Sequence, residues 1–140
     1  MKNILTAAVF ICALIFSVTV NAASWVYAGS DELGNEYQLD TSSVEIENKT
    51  DDKLTFHAVF KAKFVEEMKV RWNMPNLSYA FHVYRFEKVG ETRRCSVLYT
   101  QFFSDDDKII SSAVTPSNWK DVKVGSINEA FYDAAITCLN

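Results

Sequence analysis

From Lys53 to Phe64 the chain alternates strictly between two kinds of position. Leu54, Phe56, Ala58, Phe60, Ala62 and Phe64 fall on one side, and Lys53, Thr55, His57, Val59, Lys61 and Lys63 on the other. A period of two over this length predicts a β-strand with one buried and one wet face, because a helix would scatter those phenylalanines around its axis. Shorter extended runs precede it at Trp25 to Gly29, Glu36 to Asp40 and Ser43 to Ile46. They are separated by the Gly34-Asn35 turn, and the polar stretch Asn48 to Asp52 makes the next turn. Ser78 to Lys88 and Arg93 to Phe103 are rich in aromatic and β-branched residues and read as two further strands joined at Val89-Gly90-Glu91. Lys108 to Val114 returns as a strand after the turn at Ser104 to Asp107. Between the strands, Val65, Met68 and Trp72 recur near helical spacing, which predicts a short helix or irregular crossing ended by Pro75-Asn76.

The last segment changes period. Ser126 and Glu129 have the spacing of a capping box, in which each side chain satisfies a free N–H at the helix start. Ile127, Ala130, Phe131, Ala134 and Cys138 then form an apolar stripe. The predicted fold class is α+β: an antiparallel β-sheet of about five to seven strands with a C-terminal α-helix packed on one face. Cys138 on that stripe is expected to bring the helix against the strand that carries Cys95.

The N-terminus has a different organisation. Lys2 gives a positive start, Ile4 to Val20 is uncharged and almost wholly apolar, and Val20-Asn21-Ala22 supplies a small-residue exit. This predicts a cleavable signal peptide over residues 1–22, cut after Ala22. A retained anchor is the competing reading, since a spanning helix needs roughly 17 to 25 residues. The small-residue exit and the lack of a following basic cluster favour removal, so no retained transmembrane segment is expected. Residues 23–140 then make one domain, without a linker, repeat or second hydrophobic span. The expected location is outside the cytoplasm.

Composition narrows the partners and the redox state. Fourteen basic against 18 acidic residues give a formal net charge of −4, which argues against nucleic acid as a general partner. Of the three cysteines, Cys12 leaves with the leader, and Cys95 and Cys138 are expected to form a disulfide in an oxidising compartment. Closing such a loop contributes roughly 4 kcal/mol in the chain-entropy model.

Candidate chemistry is sparse. His57 and His82 are the two histidines, with no acidic or cysteine ligand at useful spacing, so neither a metal nor another cofactor is expected. Asp105-Asp106-Asp107 lacks the alternating ligands, glycine and closing glutamate of a calcium loop and reads as a solvated hairpin tip. Asp31, Glu32, Glu36 and Asp40 lie in turn-rich pieces, where Asp40 ahead of Thr41-Ser42-Ser43 suits a side-chain-to-backbone turn. No Gly-x-Ser-x-Gly elbow is present, and a non-enzymatic protein is expected. The local basic region is Lys61, Lys63, Lys69 and Arg71, interrupted by Glu66 and Glu67. On the wet face of the long strand Lys61, Lys63 and His57 align as the candidate partner-binding residues. The plainer reading of the lysines is a guard against edge pairing.

Two clusters carry a family resemblance. Trp25-x-Tyr27-x-Gly29, followed by Gly34, Tyr37, Asp40, Ser43 and Val44, resembles the opening of the surface-adhesin protein E-like family. Cys95 on a strand, the polar hairpin at Asp105–Asp107, and Trp119-x-x-Val122-x-x-Gly125-Ser126-Ile127 leading into a helix resemble its far end. Val124 stands where such proteins often have proline, and Phe64–Ser78 is longer than in that pattern. The resemblance implies an exported bacterial sheet-plus-helix domain that binds other proteins, with host extracellular-matrix or serum proteins as the expected partners. The alternative is a periplasmic structural or envelope-stress protein with a partner in the envelope.

Overall fold

The computed structural model describes residues 23–114 and 116–140. The predicted signal peptide, its cleavage site and Cys12 lie outside the described residues. Eight strands and two helices follow in the order β1 (Trp25–Ser30), β2 (Glu36–Asp40), β3 (Glu45–Lys49), β4 (Lys53–Lys63), α1 (Glu66–Arg71), β5 (Leu77–Val89), β6 (Thr92–Ser104), β7 (Ile109–Ala113), β8 (Lys120–Asp121) and α2 (Ile127–Thr137). A 3-10 turn over Thr41–Ser43 separates β2 from β3. The class is α+β, and the eight strands form one antiparallel sheet in the order β1-β2-β4-β5-β6-β7. β2 and β3 lie end to end along the same edge of β4, and β7 and β8 likewise along β6.

The strand count exceeds the predicted five to seven because β8 has only two residues, too few for a period to show. β3 also begins two residues later than its sequence pattern suggests. Ser43 is spent in the 3-10 turn, where its hydroxyl donates to the Asp40 carbonyl at 2.7 Å and accepts from the Val59 N–H at 2.8 Å. The Asp40 carboxylate accepts from the Ser42 N–H at 3.0 Å, so a side chain starts the turn that bends the chain from β2 into β3.

The alternation in β4 places Phe56, Ala58 and Phe60 under α2, where Phe131, Tyr132 and Ala135 meet them in the main core. Phe131 lies 4.4 Å from Phe60 between ring centroids, nearly parallel to it, and 4.9 Å from Tyr37 edge-on. Each such side chain withdrawn from water contributes about 1.5–3 kcal/mol. Helix α1 covers the other end of the same face, over Ala62, Phe64, Leu77 and Ala80 through Met68. Gly29 on β1 permits the close approach of α2: a Cβ there would stand 2.9 Å from Ile127 Cδ1, and the φ of +141° is open to glycine.

The opposite face differs from its prediction. Thr55, His57 and Val59 are buried there, and Val59, Phe81, Val83, Tyr99 and Phe103 form a second apolar cluster with Trp25, Tyr79 and Leu98 packed against it. The centre of the sheet is therefore apolar on both sides, and only its margins carry exposed charge on this face. A period-two pattern read from one strand cannot reveal this, because Phe81, Tyr99 and Phe103 come from the neighbouring strands.

The expected disulfide is absent: Cys95 and Cys138 are both free thiols. Cys95 lies buried on β6 in the main core, but Cys138 follows α2 on its exposed side. The buried face of α2 runs through Phe131, Tyr132 and Ala135, about one residue round from the predicted stripe, and that rotation turns Cys138 outward. Its thiol instead donates to the Ala134 carbonyl at 3.5 Å. The Ser126 half of the capping box forms, with its hydroxyl accepting from the Glu129 N–H at 3.3 Å. Glu129 reaches one residue further back than predicted, to the Gly125 N–H at 3.2 Å.

A thiol reagent is expected to modify Cys138 in the folded protein and Cys95 only after denaturation. Mass spectrometry of protein labelled with and without denaturant checks this. Protection of both thiols until a reductant is added would contradict the free pair.

Candidate binding surface

The antiparallel register across β2, β4 and β5 assembles a small polar site on the face away from the helices. Gln38 pairs with Lys61 and Lys61 with Phe81; Glu36 pairs with Lys63 and Lys63 with Tyr79. Paired residues project to the same side. Glu36, Gln38, Lys61, Lys63, Ser78 and Tyr79 line one cleft of about 300 Å³. Lys61 Nζ sits 4.6 Å from the centre of the Tyr79 ring, a cation–π distance.

The cleft borders an aromatic band. Tyr79 stacks on Phe103 at 4.9 Å with only 6° between the planes, and Phe81 stacks on Trp25 at 5.7 Å. The Tyr79 hydroxyl donates to Asp107 Oδ1 at 2.7 Å, which ties the cleft to the turn after β6. Burial, together with that hydrogen bond and the Asp107 charge, pushes the Tyr79 hydroxyl up to about 12. It therefore stays a neutral donor throughout the physiological range. Tyr27, 66% exposed and in register with Gln38, extends the surface across β1.

The three candidate residues do not share this site. Lys61 and Lys63 line the cleft together, whereas His57 is 2% exposed and lies beyond Val59 on the same face. Its ring Nδ1 is 3.2 Å from Glu47 Oε1, and its Nε2 is 3.6 Å from Glu45 Oε2. Glu47 also accepts from Arg85 at 2.8 Å. Arg85 and Arg94 in turn flank the Trp119 ring at 5.6 and 5.4 Å. Lys69 and Arg71, the other half of the basic region, pair within α1 with Glu66 and Glu67 at 2.6 and 2.9 Å. They stand near the helix C-terminus and the glutamates at its start, the arrangement that a helix dipole favours.

His82 lies on the helix-facing side, paired in register with Phe60, so the two histidines are on opposite faces. Its Nδ1 is 2.9 Å from Thr100 Oγ1, and burial pushes its pKa down to about 4. Among the described residues no group of three or more His, Cys, Asp and Glu is placed to share a metal ion. The early carboxylates are also dispersed: Asp31 accepts from the Asn35 side chain at 2.8 Å and from the Tyr37 hydroxyl at 3.0 Å, while Asp40 serves its own turn. Asp106 accepts from Ser104 and pairs with Lys108 at 3.3 Å.

Sequence reasoning missed Tyr79, Gln38 and the Arg85–Trp119–Arg94 stack. Tyr79 lies opposite Lys63 through a β4–β5 register that no short hairpin sets, since residues 64–76 separate the strands. The partners of Trp119 come from β5 and β6, and nothing in the local sequence around Trp119 points to them.

No protein-family profile, curated protein or solved structure matches the chain. Among the described residues no helix is long and apolar enough to cross a membrane.

Glu87 anchors the polar margin of this face. Hydrogen bonds from Arg94 and from Lys53, with their charges, hold its carboxyl below the usual carboxylate range. A lowered folded-state pKa contributes stability that is fully present above the unfolded value of about 4.3 and is lost as pH falls through the folded value. Glu87→Gln is therefore expected to be less stable at pH 7 and to lose less on acidification. Denaturant titrations of both proteins from neutral to strongly acidic pH check this; parallel curves would remove the assignment.

Proposed function

We propose that this chain is an exported, non-enzymatic binding module that holds a protein partner across the β2–β4–β5 margin of its sheet. The observation that supports the reading most is the Lys61–Lys63 cleft beside Tyr79. It combines two lysines in adjacent rungs, an aromatic ring held in place by Asp107, and the open tyrosine Tyr27 nearby. Tyrosine is among the residues that carry most of the binding energy at protein interfaces, and neighbouring lysines steer an acidic partner toward it. A mainly polar cleft of this kind suits a macromolecular contact more than a small-molecule site, whose lining is mostly apolar.

The resemblance of the Trp25–Val44 and Trp119–Ile127 segments to the surface-adhesin protein E-like family supports the same reading and suggests an extracellular-matrix or serum protein as the partner. The leader-like pattern of residues 1–22 supports export to the periplasm or outer surface. A partner with an acidic strip would meet Lys61 and Lys63, with Glu36 and Gln38 setting the orientation at the rim.

Binding of the purified protein to a panel of matrix and serum proteins, measured by surface plasmon resonance, tests the proposal. Saturable binding is expected for at least one of them, weakened about tenfold by the double charge reversal Lys61→Glu/Lys63→Glu, with retention of the fold checked by circular dichroism. Saturable binding that ignores the reversal would move the contact elsewhere, and no saturable binding in the panel would remove the matrix and serum partners.

A further inference from the structure

We propose that β7 is a self-association edge, along which a second copy of this chain adds its own β7 antiparallel to extend the sheet. The outer edges of the sheet are not alike. On β1 the ladder is interrupted between Tyr27 and Gly29, and Ile127 of α2 packs there. On β3 Glu45, Glu47 and Lys49 alternate along the strand and the register shifts between Ile46 and Asn48. β8 has only two residues, both charged. Bulges, charges and shortness are the devices by which edge strands avoid pairing.

β7 has less of this protection. Its sequence, Ile-Ile-Ser-Ser-Ala, contains no charge and no proline, and all five residues are exposed. Ile109 is 59% and Ile110 38% exposed. The one irregularity against β6 falls between Ser111 and Ile109, so Ser111, Ser112 and Ala113 continue in regular register with Phe102, Gln101 and Thr100. An uncharged strand that opens on two isoleucines and stands last in the sheet order is a template for another extended chain.

Charge selects the occupant and its direction. Asp105, Asp106, Asp107 and Lys108 all lie at the N-terminal end of β7, while Val114 and the residues from Pro116 to Trp119 beyond its other end are uncharged. A twofold antiparallel arrangement sets each acidic tip against the uncharged end of the other copy. A parallel arrangement would bring the two acidic tips together. The strand itself carries no charge for an ionic partner to recognise, whereas in an isologous contact the two isoleucines of each β7 meet the small, uncharged Ser-Ser-Ala end of the other. Such a dimer leaves the Lys61–Lys63 cleft outside the contact, because β6 lies between β7 and Tyr79 on β5, the nearest strand of the cleft.

Sedimentation equilibrium of the purified protein from micromolar to millimolar concentration tests this. A reversible monomer–dimer equilibrium is expected. Ser112→Lys, which puts like charges near the twofold axis, should weaken it by about tenfold with unchanged thermal unfolding. Hydrogen exchange of the unaltered protein gives a second reading should that variant misfold: amides of residues 109–114 should gain protection as concentration rises, while those of β1 and β3 do not. A monomer at every concentration, a dimer indifferent to Ser112→Lys, or a gain of protection at another edge would overturn the proposal. Capture of an unrelated extended peptide by a protein that stays monomeric would overturn it too, in favour of a peptide-binding edge.

Discussion

Phe131 against Phe60 is the contact on which the rest of the structure depends. The two rings stack at 4.4 Å, and Phe131 also meets Tyr37 on β2 and Tyr84 on β5. One helical side chain thereby gathers three strands under α2. Stacked and edge-on aromatic pairs contribute about 0.5–1.5 kcal/mol each beyond the area they bury. With Cys95 and Cys138 free, this packing and the Arg93–Glu129 pair at 3.0 Å hold the helix to the sheet, while the Ser126 cap fixes where the helix begins. The absence of a side chain at Gly29 matters for the same reason, since it lets Ile127 settle onto β1.

That helix commits one face of the sheet to the core and so decides where partners can be met. The opposite face has its own apolar centre around Val59, Phe81 and Tyr99, with polar groups displaced to two margins. At one margin Lys61, Lys63 and Tyr79 make an accessible cleft. At the other, Glu47, Arg85, Glu87 and Arg94 pair with one another, with His57 and Lys53, or with Trp119, and are already satisfied within the chain. The same face thus carries charges of two kinds. Those bound internally stabilise the fold, and those in the cleft remain available to a partner.

Much of the architecture was legible in the sequence because it follows local rules. The alternation of β4, the turn at Gly90 and the serine cap of α2 each express a constraint acting over a few residues. The misses are nonlocal. The apolar spacing puts Cys138 on the inward stripe of α2, but the helix is rotated by about one residue so that Tyr132 and Ala135 can join Phe131 beneath it. Spacing alone groups His57 with Lys61 and Lys63, yet it is buried because Glu45 and Glu47 come across from β3. Tyr79 leaves no local signal because its position opposite Lys63 depends on the pairing of two strands joined by residues 64–76.

Hydrogen exchange of α2 under oxidising and reducing conditions tests most directly whether aromatic packing holds the helix. Amides of residues 131–136 are predicted to exchange on the timescale of the β4–β5 ladder and to be indifferent to reductant, since helix and sheet open together when the Phe60–Phe131 contact is lost. Protection that collapses when reductant is added, or a helix that exchanges far faster than the sheet, would contradict the account.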